Sequence, residues 1–538
     1  MILNSMPNDD LGFGPLAEEF LAIWARFEPE WALARVLTGY PVHLAGLDYD
    51  DDGAQHSVLS SLLSALEELD ETCLDPWQRA AYERLYRLAH CECRALFDPA
   101  VRLRDPLRKL PLGALLVASR AVIPGSEAAW LNLLEQLPDQ LLGFRRQWGE
   151  SSRFIVPALV EQAVAQLTVV IRVVSQFGHQ DWGTLEAVPS FLDRLEETLR
   201  ALRRCLKAEA LSVVGGTPGL GAKAYRELLT QRYRLDLDFD ALLVALTTEQ
   251  TTRWDELCLD RDEAHRPSAW DQQQNLIVQQ SEGARLNQAT PAEQLRILHA
   301  VGRQVQERLT HAGLLETTLV PPRLIPVGWM DWPGPSLTTA LPTLFLPGES
   351  RCFLDIQEAF RSLAHLRRVL LSEVWGGAHG LDLPVEMTAW AGFLDLEFLA
   401  GWGLMMRSLW VERGLGEDSD RWLLSADRLA TCERALLDLR LHLGLTTWEA
   451  LDQEHPSVTS AERLTTIRHP GRHLAAWLTG RFLESWVREQ IETGDAEDFL
   501  AFRARLAPAA LASFPLWLRM VQAPGTLEDW LTRTVGAS

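Results

Sequence analysis

"PALVEQAVAQLTVVIRVVSQF", residues 157–177, is the stretch whose reading decides the fold. Its apolar residues recur at three- and four-residue steps, the spacing that lines one face of an α-helix. Its most apolar part, "LTVVIRVV" (167–174), carries Arg172, and no uncharged apolar run in the chain reaches the ~18 residues of a membrane span. The segment therefore reads as a buried helix of a large helical body.

The same periodicity predicts helices in "PLAEEFLAIWARF" (15–27), "SVLSSLLSALEELDE" (57–71), "SEAAWLNLLEQLPDQLLGFRRQW" (126–148) and "SFLDRLEETLRALRRCLKAEAL" (190–211). Several open on Ser, Asp or Pro and close near Gly, as at Ser126 and Gly149, which satisfies the orphan groups of helix ends. A glycine-rich stretch follows, "VVGGTPGLGAKAY" (213–225). It is not a phosphate loop, because Gly221 is followed by Ala222, Lys223 and Ala224 rather than by Lys and Ser or Thr.

Between 318 and 353 Pro and Gly become frequent, and "RLIPV" and "TLFL" suit short strands at the rim of a cleft. From Ile356 the pattern is helical again, with loops around 376–384, 414–420 and 465–472. We expect a mostly α fold with a deep cleft and a small β element near 320–353. The expected division is an N-terminal helical region, 1–212, and a C-terminal one, 213–538.

Composition limits the function classes. The 538 residues are 47% hydrophobic and 23% charged, as in an ordinary folded protein. A net charge of −22 repels phosphate backbones and anionic lipid, and no basic patch of useful length offsets it, so neither nucleic acid nor membrane is expected as a partner. Lys occurs only at 109, 207 and 223, none beside a second cation that would lower its pKa, which argues against Schiff-base chemistry. The seven cysteines are odd in number and scattered. "HCEC" (90–93) lies in a helical pattern in which residues two apart point away from each other, so it is a poor metal site. The start "MILNSMPNDDLGF" has no cationic region followed by an apolar one, and a cytoplasmic setting is expected.

Candidate chemistry concentrates in four stretches of the last third. "LLSEVWGGAHGLDLP" offers Glu373 and His379, and "EFLAGWGLMMRSLW" has a Gly-Trp-Gly interruption after Glu397. "LLDLRLHLGLTTWEAL" puts Asp438 and His442 four apart, on one helix face, and "HPGRHLAAWLTGRFLESW" holds His469, His473 and Arg481. In order and rough spacing these stretches resemble the signatures of a bacterial family called domain of unknown function 885. That family is similar to helical zinc metallopeptidases of the thimet-oligopeptidase and carboxypeptidase Taq kind. Its pattern is H-E-x-x-P-G-H-H, E-G-W-A-L-Y-A-E, D-T-G-L-H, and a closing segment that opens on Pro-Gly and contains Tyr and Gly-Gln/Arg. The likeness extends over nearly the whole chain, including "FEPEWALARVLTGY" (27–40) and "AYRELLTQRYRLDLDFDAL" (224–242).

The departures from that pattern fall on the chemistry. Ser372 stands where the family has its first His, Ala378 replaces one of the His pair, and Ala400 replaces the Glu of E-G-W. Trp477 stands for the Tyr that the resemblance gives as an oxyanion donor. Glu373, Gly377, His379, Gly401, Trp402, Asp438, His442, Pro470, Gly471, Gly480 and Arg481 match. A catalytic zinc needs three protein ligands at ~2.0–2.3 Å, and at most His379 is left of the ligand set. The zinc site is therefore expected to be lost, with no cofactor in its place.

The expected function is that of a pseudoenzyme, which binds a small or peptide-like ligand or a protein partner in the inherited cleft. Trp375, Trp402, His473, Trp477 and Arg481 are candidate cleft residues, the tryptophans either filling the cleft or lining an aromatic pocket. A first alternative is an enzyme with metal-independent acid/base chemistry on Glu373, His379, Asp438 and His442. A second is a hydrolase with an unusual metal site on His379, His442 and a carboxylate such as Glu397 or Asp438.

Overall fold

The computed structural model describes residues 13–27, 49–98, 104–105, 112, 132–139, 141–142, 154–178, 188–210, 217–259, 286, 288–327, 344–346, 349–381, 394–451, 458–492, 499–513 and 516. The family-like residues 28–40 and much of the expected helix at 126–148 lie outside them. The described part is mostly helical with a small β element, as the periodicity indicates.

The chain forms two compact units, one of Met1–Pro218 with Val327–Leu346, the other of Gly219–Pro326 with Pro347–Ser538. The first contains α1 (Phe13–Phe27), α2 (Tyr49–Glu67), α3 (Pro76–Phe97), α4 (Pro157–Gly178) and α5 (Val188–Ala210). Asp75 starts α3: its carboxylate accepts from the Gln78 amide while the Gln78 side chain accepts from the Asp75 amide, and Pro76 takes the first helical position. Cys91 and Cys93 lie within this helix. By length and composition Pro157–Gln176 could cross a membrane, but most of it is buried and it packs along α5. Leu159, Val160, Ala163, Leu167 and Val170, at three- and four-residue steps, make its fully buried face.

The second unit contains α6 (Ala222–Leu228, prolonged by a π turn Leu229–Tyr233), α7 (Phe239–Leu259), α8 (Pro291–His311), α9 (Leu363–Val369), α10 (Leu396–Glu412), α11 (Asp418–Leu443), α12 (Ser460–Arg468), α13 (Arg472–Glu492) and α14 (Phe499–Leu506). Strand β1 (Arg323–Val327) lies beside β3 (Glu349–Asp355), and Leu344–Leu346, in the first unit, is the short strand β2. Helix α10 packs along α13, α7 along α11, and α11 along α13. Helix α11 ends at Gly444, whose φ of 74° lets the Leu445 amide reach the Arg440 carbonyl at 2.9 Å.

Helix α9 runs into a π turn, Leu370–Trp375, then a single 3₁₀ turn, His379–Leu381. A π turn is a wide, poorly packed form that sequences usually tolerate for a local reason. Here the reason is close packing against α10. A Cβ on Gly376 would stand 2.6 Å from the Gly403 Cα, and one on Gly401 would stand 2.7 Å from the Gly480 amide nitrogen of α13. Helix α10 is thus pinched at Gly401-Trp402-Gly403 between the π turn and α13, and only glycines allow backbones so near.

Candidate functional site

Each of the four motif stretches belongs to the second unit. The face of α10 that carries Ala400 and Gly403 looks toward the π turn, with Ser372 packed on Gly403. Ala400 and Glu373 are exposed and Ser372 is half-buried, whereas Ala378 is buried. Partial withdrawal from water, with Glu358, raises the pKa of Glu373, while Arg368, Arg472 and Arg407 pull it down. The arginines have other partners: Arg368 pairs with Asp427 at 2.8 Å and with Glu358, Arg407 with Asp427, and Arg472 faces Glu397 at 3.8 Å.

His379 turns elsewhere. Its Nδ1 shares a hydrogen bond of 2.9 Å with the Ser350 hydroxyl at the start of β3, and Trp375 meets its ring edge-on at 5.3 Å. Burial and the Arg503 cation, opposed by the Val320 backbone, hold its pKa down at about 4, so the imidazole is neutral. Glu373 and His379 do not converge: separate charged neighbours border each, and no hydrogen bond or ion pair joins them. Sequence reasoning missed Ser350, which stands 29 residues from its histidine in the chain, so no local spacing marks it.

Asp438 and His442 are fully buried, both at 0% exposure. The Asp438 carboxylate accepts hydrogen bonds from the amides of Gly471 (3.0 Å), His473 (3.1 Å) and Leu474 (3.4 Å), and from the Tyr225 hydroxyl (3.1 Å). It thereby caps the first turn of α13 from a neighbouring helix, meeting donors that have no partner inside their own helix. Burial pushes its pKa up to about 7 against those four bonds. His442 lies 3.5 Å from the same carboxylate, stacks on Tyr225 with centroids 4.9 Å apart, and its Nε2 meets the Thr466 carbonyl at 3.2 Å. The pair belongs to the packing of α6, α11, α12 and α13.

The other candidates are equally occupied. His473 gives its amide to Asp438, and burial, then Arg434 and Arg472, lower its pKa to about 3. Trp477 donates its indole N–H to Glu249 Oε2 at 3.0 Å, and Arg481 pairs with the other oxygen of Glu249 at 3.2 Å. Trp402, at 0% exposure, lies parallel to Phe398 and Phe499, and Trp375 and Trp477 are each 2% exposed. These tryptophans are packed into the body and do not wall an aromatic pocket.

The zinc that the resemblance implies has no fitting set of donors at the matched positions. Ser372, Ala378 and Ala400 offer one hydroxyl and two methyl groups, and His379 is bonded to Ser350. Glu397, weighed as a substitute ligand, is buried beside Asp395, and burial with that neighbouring carboxylate raises its pKa to about 7. Among the described residues no three His, Cys, Asp or Glu side chains gather as a metal-binding group.

No family model matches the chain, and no curated protein does. Solved structures share its fold, among them two bacterial proteins. One is a protein described as a lipoprotein of unknown function from Shewanella oneidensis, 15% identical, covering 95% of this chain and 99% of that one with a TM-score of 0.60. The other is described as a lipoprotein from Colwellia psychrerythraea, 12% identical, covering 97% of this chain and 99% of that one with a TM-score of 0.66. At these identities the likeness is one of fold.

The lipoprotein descriptions overturn the cytoplasmic setting expected from the sequence, since they point to an anchored or exported protein.

Proposed function

We propose that this chain is a pseudoenzyme of a zinc-metallopeptidase-like fold, related to the domain of unknown function 885 family, which binds a small or peptide-like ligand or a protein partner in the inherited cleft. One observation carries the reading: matched residues and departures separate by physical role. Gly401 and Gly480 set a backbone crossing, Asp438 caps α13 with help from the Gly471 amide, His442 stacks in the core, and Arg481 is held by Glu249. Apart from Glu373, what matches is what holds the helices together. What departs, Ser372, Ala378 and Ala400, is what a metal would need. Without a metal, Glu373 would act alone, and an unassisted base gives only a modest acceleration. We place the protein outside the cytoplasm, after its structural neighbours.

The test is hydrolysis. Purified protein incubated with a pool of short peptides, with and without added zinc and with a chelator, is expected to release no new amino termini in any arm. Stoichiometric zinc with chelator-sensitive cleavage would sink the reading and favour an unusual metal site. Cleavage indifferent to the chelator and abolished by Glu373→Gln would favour metal-independent acid/base chemistry.

A further inference from the structure

A hydroxyl in the second unit stands against a base from a distant part of the chain. Ser350 lies at the start of strand β3 and His379 at the start of the turn His379–Leu381, and folding brings the hydroxyl oxygen to 2.9 Å from His379 Nδ1 across 29 residues of sequence. Two further serine–histidine contacts among the described residues are local. Ser60 meets His56 four residues away on one helix, and Ser362, at 0% exposure, meets His365 while its oxygen caps the first turn of α9.

The exposure of the Ser350–His379 pair suits a nucleophile with its base. His379 is 4% exposed and Trp375 meets its ring edge-on, whereas Ser350 is only half-buried. The base is held and shielded, and the hydroxyl can be reached. At the other ring nitrogen, Nε2 makes no well-formed hydrogen bond, and the Val320 backbone is the neighbour that favours a ring proton. A carbonyl accepts and cannot donate, so the single proton of the neutral ring belongs on Nε2, and Nδ1 is left to accept from the Ser350 O–H. A nucleophile within hydrogen-bond reach of a base, itself oriented by a third group, is the arrangement of covalent catalysis.

We propose that Ser350 is a nucleophile activated by His379, and that it takes the acyl group of an ester whose leaving group departs as an anion. The bond from Ser350 Oγ to the carbonyl carbon forms as the hydroxyl proton passes to His379 Nδ1. The bond from that carbon to the leaving oxygen breaks with its electron pair, and the imidazolium releases its proton to water. Water then attacks the acyl-serine, giving a proton to Nδ1, and Ser350 Oγ departs and takes that proton back. Burial and the Arg503 cation oppose a charged ring, so His379 is a weak base that supports attack only on a reactive carbonyl. Amides fall outside that range, and the inference therefore goes beyond the proposed function without altering it.

A fluorophosphonate is the first probe: Ser350 Oγ attacks its phosphorus and fluoride leaves, and mass spectrometry of the digested wild-type protein locates the label. The second is para-nitrophenyl acetate, followed by nitrophenolate release. The label is expected on Ser350 in the folded protein and not in protein unfolded in urea, a comparison that needs no variant. Ser350→Ala should abolish nitrophenolate release, and His379→Gln should slow it about a hundredfold, the lower end of what a positioned base supplies, with circular dichroism melts to verify both folds. The proposal is overturned if no label attaches, if the label sits on another residue, or if unfolded protein is labelled as fast. It is overturned too if folded His379→Gln reacts as fast as wild type. Peptide cleavage is read from new amino termini and involves no ester, so failure here and failure of the pseudoenzyme reading remain distinct.

Discussion

Replacing Asp438 separates a structural from a catalytic account of the most conspicuous acid/base pair. Asp438→Ala leaves the amides of Gly471, His473 and Leu474 and the Tyr225 hydroxyl without an acceptor at a site of 0% exposure. Each unmet buried donor costs ~1–3 kcal/mol, and relaxation recovers part, so a loss of about 4 kcal/mol is expected. That is a large share of the ~5–15 kcal/mol typical of folded proteins. The assay is urea unfolding followed by circular dichroism at pH 7, and Asp438→Asn, which keeps one acceptor oxygen, should lose about half as much. A catalytic acid would behave in the opposite sense, because removing a group held for function usually leaves stability unchanged or raised. A loss below ~1 kcal/mol, the scale of a surface ion pair, would refute the capping argument.

The remaining predictions concern packing and pH. Gly401→Ala puts a methyl 2.7 Å from the Gly480 amide nitrogen, and the α10–α13 crossing can yield only by separating; thermal unfolding should show a loss of about 1–3 kcal/mol. Trp477→Phe removes the indole bond to Glu249, leaving that carboxylate to Arg481 and Arg253; a loss of about 1 kcal/mol in urea unfolding is expected. In pH dependence, His379 (about 4), His473 (about 3) and His469 (well below its ordinary value) have lowered pKa values in the fold. Their stabilisation is present above pH 6.5 and is lost as pH falls through the window down to about 4 and below. Asp438 and Glu397, both raised to about 7, run the other way, contributing fully below about pH 4 and losing that contribution as pH rises through 7. Each group is worth ~1.4 kcal/mol per pH unit inside its window, so Asp438→Asn, which removes one opposing contribution, should steepen the fall in stability from pH 6.5 to 4.5 by about that much per unit. A pH series of urea midpoints measures it; an unchanged slope would show that Asp438 keeps its charge throughout.

Periodicity made the helices of both units legible, because helix formation and the burial of one apolar face are decided within a few turns of chain. "RLIPV" and the end of "TLFL" were legible as strands from their Pro- and Gly-bounded apolar runs. The missing zinc donors were legible as well, since Ser372, Ala378 and Ala400 lack ligand atoms in any fold. The roles of the residues that remained were not. Asp438 and His442 share a helix face whether they serve a cleft or a core, and only the approach of α13 to that face turned the carboxylate into a cap. Gly401 and Gly403 interrupt an apolar helix in the sequence, and it took the π turn and α13 on either side to show them as contact points between backbones. Glu373 shows the difference most plainly. Its charge is a property of the chain, but whether that charge has a partner depends on side chains from three other elements. Burial and pairing are sums over neighbours brought together by folding, and a linear sequence lists the neighbours without saying which ones meet.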